Sequence, residues 1–124
     1  MQIFTLDEAN ALIPVLEPML TEMRDLYSHV NAMREEAGAA AASSVAGGGM
    51  EGGTKYVNAL YKIGKLTTEI HDLGAELKDY QRGLIDFPSM RGDRLVLLCW
   101  QLGEGQEIEW WHEPEAGFSG RQRL

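Results

Sequence analysis

Residues 83–112, GLIDFPSMRGDRLVLLCWQLGEGQEIEWWH, decide the fold, because apolar residues here change from helical spacing to two-residue alternation. Three segments alternate in this way, namely 83–88, 94–100 and 107–112. Glycine-containing stretches separate them and provide turns. The sequence therefore predicts a three-stranded antiparallel β-meander.

The middle segment, 94–100, is apolar on both faces of the predicted strand. One face carries Val96, Leu98 and Trp100, and the other carries Leu97 and Cys99. A strand with one solvated face would alternate apolar with polar residues. We therefore expect helices to cover one face, and the C-terminal tail or a second subunit to cover the other. This pattern predicts a homodimer.

The third segment places its two tryptophans on opposite faces. Ile108, Trp110 and His112 would share one face, and Trp111 would lie on the other between glutamates. One tryptophan is expected to complete the core. The other would form an aromatic wall or an interface anchor.

The N-terminal third has the pattern of amphipathic helices. Thr5 and Glu8 have the spacing of a capping box, which predicts a helix that begins at Leu6. Pro14 is expected to interrupt it, giving a short helix over 6–12 and a longer one over 14–36. Apolar residues then follow alternating steps of four and three, as in a coiled-coil seam. They are Leu12, Leu16, Met19, Met23, Leu26, Val30 and Met33.

A second seam, from Tyr56 to Leu77, predicts a helix over 54–82 that ends at Gly83. Gly64 and Gly74 would lie inside this helix, where they would allow another backbone to come close. In the stretch 38–53, GAAAASSVAGGGMEGG, the alanines can extend the first helix by a turn or two. The glycines favour a flexible linker over the alternative of a ligand lid. Together these patterns predict a single α+β domain over 1–124. A long antiparallel helical hairpin (5–82) precedes the meander and tail (83–124).

Composition restricts the class of protein. The net charge is −8 and there is no polybasic stretch, which argues against nucleic acid or a membrane surface as partner. The single cysteine, Cys99, excludes an internal disulfide and suits a reducing compartment. No apolar run approaches the roughly 20 residues of a membrane helix. We therefore expect a cytoplasmic protein.

Five segments together resemble a known family: TLDEANALIPVLEPML (5–20), GLIDFPS (83–89), LCWQLGE (98–104), WHE (111–113) and GFSGRQRL (117–124). The chain is similar in these motifs to an uncharacterised bacterial family, domain of unknown function 2203. The resemblance implies a small bacterial protein. It brings no assigned activity and no catalytic residues.

Seven residues near the predicted sheet are candidates for a site: Asp86, Cys99, Glu104, Trp111, His112, Glu113 and Arg121. Histidine, cysteine and carboxylates are suitable ligands for zinc or iron, but their spacing matches no standard motif. Strand alternation puts Cys99 and Trp100 on opposite faces, so Cys99 need not reach His112. The same geometry weighs against nucleophilic catalysis by Cys99.

Three roles remain open for this end of the chain. In the first, Arg121 pairs with an acid and pins the tail to the sheet. In the second, the protein is a non-enzymatic interaction or small-ligand module that self-associates, with Trp111, His112 and Arg121 holding a small anion or peptide. In the third, it is a metal-dependent or acid–base enzyme of unknown substrate, centred on His112 with Glu113, Asp86 and Glu104.

Overall fold

The structure, a computed structural model, describes residues 1–43 and 53–124 as two helices followed by an antiparallel sheet. The helices are α1 (Leu6–Ser43) and α2 (Gly53–Asp72). The strands are β1 (Glu76–Asp79), β2 (Leu84–Arg91), β3 (Arg94–Gln101), β4 (Trp110–His112) and β5 (Gln122–Arg123), with a 3₁₀ turn at Phe118–Gly120. They pair in chain order. The α+β class is confirmed, but the sheet has five strands, not three.

Helix α1 runs without a break through Pro14, so the predicted short helix over 6–12 is wrong. Pro14 and Pro18 are both exposed and lie one turn apart on the same side of the helix. The carbonyls that lose their intrahelical donors there can bond to water, and the helix continues. The predicted start is confirmed, because the Thr5 and Glu8 side chains each accept the other's backbone N–H, at 3.1 and 2.8 Å.

Helix α2 ends at Asp72, ten residues before the predicted end at 82. Gly74 follows with φ of +96°, the left-handed conformation in which glycine commonly terminates helices. Leu77, assigned to the second helical seam, lies instead in β1. A methyl group on Gly74 would come within 2.6 Å of the Phe4 ring. The group that comes close to Gly74 is therefore the Phe4 side chain, and not another backbone as predicted.

Only part of the predicted linker can be compared with the structure. Residues 38–43 continue α1 and Gly53 begins α2. Residues 44–52 lie outside the described residues, so the flexible linker remains a prediction. Among the described residues, neither helix combines the length and the apolar character needed to cross a membrane.

The main core lies between the helices and one face of the sheet. From the first helical seam it buries Leu16 and Met23, and from α2 it buries Leu66 and Ile70. The seams of the two helices therefore meet within one chain. The sheet contributes the face that bears these residues: Ile85, Phe87, Val96, Leu98, Trp100 and Trp111.

The second face of β2 and β3 is also buried, as the sequence predicted. Leu84, Leu97 and Cys99 lie on it, and the tail residues Pro114 and Phe118 pack across them. The chain's own tail thus provides the cover for which a second subunit was one candidate. Dimerisation remains a prediction, but the apolar second face of the sheet no longer supports it, because the tail covers that face.

We expect Gly74→Ala to lower the free energy of unfolding by about 1–3 kcal/mol, because alanine is strained at positive φ and its methyl group would collide with Phe4. Gly64 is the matched control, since it is helical, exposed and has no atom within 4 Å of an added methyl group. Gly64→Ala should raise stability by about 0.5–1 kcal/mol. Urea unfolding monitored by circular dichroism measures both changes in stability. Equal effects of the two substitutions would contradict the strain and the collision proposed for Gly74.

Candidate metal centre

Asp86, Cys99 and His112 come from three neighbouring strands and meet on the second face of the sheet. Asp86 on β2 pairs directly with Cys99 on β3. His112 on β4 pairs with Leu97, two residues before Cys99 and therefore on the same face. All three are at most 2% exposed. One carboxylate oxygen, the thiol sulfur and one imidazole nitrogen all lie within 4.8 Å of one another.

The prediction that Cys99 need not reach His112 is wrong. That argument compared neighbours within one strand, where Cys99 and Trp100 do point to opposite faces. The relevant relation is across strands, because directly paired residues of an antiparallel sheet share a face. The third predicted strand, over 107–112, is also shorter than expected, because β4 contains only Trp110–His112. Ile108 precedes it and packs in the helix-side core, not beside His112.

The backbone orients the His112 ring. Nδ1 lies 2.8 Å from the carbonyl oxygen of Glu113. A carbonyl only accepts, so Nδ1–H donates this bond and Nε2 faces the site. Histidines that bind metals usually have this outer bond from the second ring nitrogen to a carbonyl or carboxylate.

Nε2 of His112 lies 3.1 Å from Oδ1 of Asp86. Since Nδ1–H is committed to the carbonyl, a further proton must lie between Nε2 and Oδ1 when no other cation is there. A neutral Nε2 and an ionised carboxylate would otherwise present two lone pairs to each other. A proton shared in a hydrogen bond, or a metal ion bound by both atoms, would remove this conflict.

Burial raises the pKa of the Cys99 thiol to about 12, and the neighbouring Asp86 carboxylate adds to the effect. Arg121 partly offsets the shift. The thiol is consequently protonated at neutral pH. A metal ion can stabilise the thiolate by taking the place of the proton.

A cavity of about 150 Å³ adjoins the three side chains. The tail roofs it with Pro114, Gly117 and Phe118, and the sheet forms its floor. The Phe118 ring contacts two guanidinium groups, with its centroid 4.0 Å from Cζ of Arg82 and 4.6 Å from Cζ of Arg121. These cation–π contacts hold the roof of the cavity in place. Phe118 was not predicted as a site residue, because an aromatic residue among glycines carries no periodic signal.

The other sequence candidates lie around this group but not in it. Glu104 bonds to Arg121 at 2.5 Å, so the predicted ion pair between Arg121 and an acid is present. Glu113 instead pairs at 2.9 Å with Arg94, the first residue of β3.

Trp111 is buried on the helix side of the sheet, opposite His112. Trp110 is half-buried and lies against Arg121 and Arg123. The two tryptophans therefore serve two surfaces, as predicted. The recognition cluster of Trp111, His112 and Arg121 is not formed, because strand alternation separates Trp111 from His112.

The whole sequence identifies the family of this chain. The profile of an uncharacterized conserved protein family, DUF2203, matches residues 2–124. The chain belongs to that family. No curated protein and no solved structure gives a match to the chain.

We expect Cys99 in the metal-free native chain to react with iodoacetamide far more slowly than in the unfolded chain. A rise in pKa from 9.0 to about 12 lowers the thiolate fraction at pH 8 by about a thousandfold, before burial slows access further. The native rate should keep rising with pH beyond 9, whereas the rate in urea should level off there. Mass spectrometry follows the alkylation. A native rate that also levels off near pH 9 would contradict the raised pKa.

Proposed function

We propose that this protein binds a divalent transition-metal ion, Zn²⁺ foremost, through Asp86, Cys99 and His112. The observation that carries the proposal is their convergence. Three buried side chains from three strands bring a carboxylate oxygen, a sulfur and an imidazole nitrogen within 4.8 Å of one another. A mixed nitrogen, sulfur and oxygen donor set suits Zn²⁺.

Charge supports the same ion. A site with Zn²⁺, one carboxylate, one thiolate and a neutral imidazole has no net charge. A neutral centre suits a place where all three residues are at most 2% exposed, since an unbalanced charge there would be costly. A divalent ion would replace two protons, one on the Cys99 sulfur and one between Nε2 and Oδ1.

The distances are compatible with coordination after a small adjustment. Metal–ligand distances of about 2.0–2.3 Å place the ligand atoms of a tetrahedral site roughly 3.5 Å apart. The Nε2–Oδ1 distance is 3.1 Å, and no separation within the group exceeds 4.8 Å. Side-chain rotations that move the ligand atoms by about 1 Å would bring them to these distances. The carbonyl of Glu113 already orients the imidazole.

The alternative of a cysteine nucleophile has less support. A nucleophilic cysteine needs a base that removes its proton. Both His112 ring nitrogens are engaged, with the Glu113 carbonyl and with Asp86. Burial also raises the pKa of Cys99, which lowers the fraction of reactive thiolate at neutral pH. Metal-dependent chemistry centred on His112 stays within the proposal, and self-association remains a separate prediction.

We expect native, untagged protein to contain stoichiometric zinc, and His112→Ala to abolish it. Elemental analysis by inductively coupled plasma mass spectrometry makes the measurement. His71→Ala is the matched control, because His71 is exposed on α2 and its removal should leave the metal content unchanged.

Asp86→Asn and Cys99→Ser complete the set, with folding checked by circular dichroism. Each removes one proposed ligand with little change in volume, and each should lower zinc affinity by at least tenfold in a competition titration with a chelator. Unchanged affinity in both folded variants would refute the site. So would metal retained by His112→Ala.

Zinc should also stabilise the fold, because the three ligands converge only in the folded chain. Free zinc at 100 times its dissociation constant should add about 2.7 kcal/mol to the free energy of unfolding. Thermal unfolding with zinc and with a chelator measures the shift. Cys99→Ser should reduce this shift, and an equal shift in that variant would place the metal elsewhere.

A further inference from the structure

We propose that the metal ion, once bound, takes a small monoanion as an additional ligand, a carboxylate of a few carbon atoms, held in the cavity under Phe118 with Lys78 as its counter-ion. This inference rests on the proposed metal site and names the ligand class of that site. Three observations support it: a coordination position without a protein ligand, the size of the cavity, and the placement of one cation.

The coordination position follows from the ligand count. Among the described residues, the only group of three or more side chains suited to a metal ion is Asp86, Cys99 and His112. Three nearby carboxylates are already paired with cations. Glu104 pairs with Arg121, and Glu113 pairs with Arg94. Glu76, opposite Asp86, pairs with Lys78. Zinc sites with three protein ligands keep their fourth position for water or substrate. The adjoining cavity is the space into which such a position can open.

The cavity limits the size of that ligand. Its volume of about 150 Å³ corresponds to roughly five water molecules at their liquid volume. Leu84, Leu97 and Phe118 give it apolar walls beside the polar group. An acetate-sized molecule fits, with its methyl group against these walls.

Charge favours an anion over a neutral molecule. The metal centre would have no net charge, so an added monoanion needs a neighbouring cation. Lys78 lines the cavity while its side chain is 44% exposed, which places it between the cavity and solvent. It lines the same cavity as Asp86, from the register irregularity of β1 between Leu77 and Asp79.

Lys78 is available for this role. Its present partner is Glu76, with Nζ and Oε2 3.2 Å apart, and a partly exposed pair of this kind contributes little stability. The Lys78 ammonium has three N–H donors, so it can bond to an anion and keep its contact with Glu76. Arg82, 4.0 Å from the Phe118 ring, is a second cation beside the cavity roof.

The experiment uses the Co²⁺-loaded protein, because Co²⁺ accepts the same donors and its visible spectrum reports its coordination. A cobalt–thiolate charge-transfer band, absent in Cys99→Ser, reports the metal site itself. Sodium acetate is then titrated at constant ionic strength with perchlorate. We expect acetate to change the visible bands saturably, whereas acetamide, its neutral analogue of the same size, leaves them unchanged.

Lys78→Met should weaken acetate binding at least tenfold while the charge-transfer band and the cobalt stoichiometry stay the same. Lys65→Met is the matched control, since Lys65 is exposed on α2, and it should bind acetate as the unaltered protein does. An acetate response that both variants retain equally would overturn the role of Lys78.

The two proposals fail in different ways. A charge-transfer band with no response to acetate would overturn the anion site and leave the metal site standing. An equal response to acetamide would overturn the requirement for an anion. Absence of cobalt binding by the folded protein would overturn both proposals.

Discussion

The register between β2 and β3 is the constraint on which the rest of this structure depends. Eight consecutive residue pairs fix which side chains share a face. A shift of one residue would move Asp86 into the helix-side core and turn Phe87 away from it. The two-residue connection at Gly92 and Asp93 holds this register, with Gly92 at φ +65°. Both the core and the polar group therefore depend on one hairpin.

A sheet buried on both faces must satisfy any polar group that it carries, and this requirement explains the tail. Asp86 and His112 bond to each other, and His112 bonds to the carbonyl of Glu113. The tail then returns across the group, tied by Arg121 to Glu104 and by β5 to β4. The same short segment thus closes the sheet and encloses the cavity. Structural closure and ligand binding are compatible roles for it.

The geometry changes the balance between the functional hypotheses. A recognition surface of Trp111, His112 and Arg121 would require side chains on both faces of the sheet, so the structure gives it no support. A metal ion needs only groups on one face, and it would take Nε2 and Oδ1, which lie 3.1 Å apart, as two of its ligands. The proposed anion then accounts for the cavity and for Lys78, which lines it.

The sequence by itself determined the class of fold, the capping box, the strands from 84 to 101 and the need to cover both of their faces, because these follow from local periodicity and composition. It misjudged Pro14, whose effect depends on which side of α1 meets solvent, and Gly74, whose left-handed conformation ends α2 earlier. The convergence of Asp86, Cys99 and His112 was decided only by the tertiary structure. Residues 26 positions apart meet through strand register, which no spacing along the chain encodes.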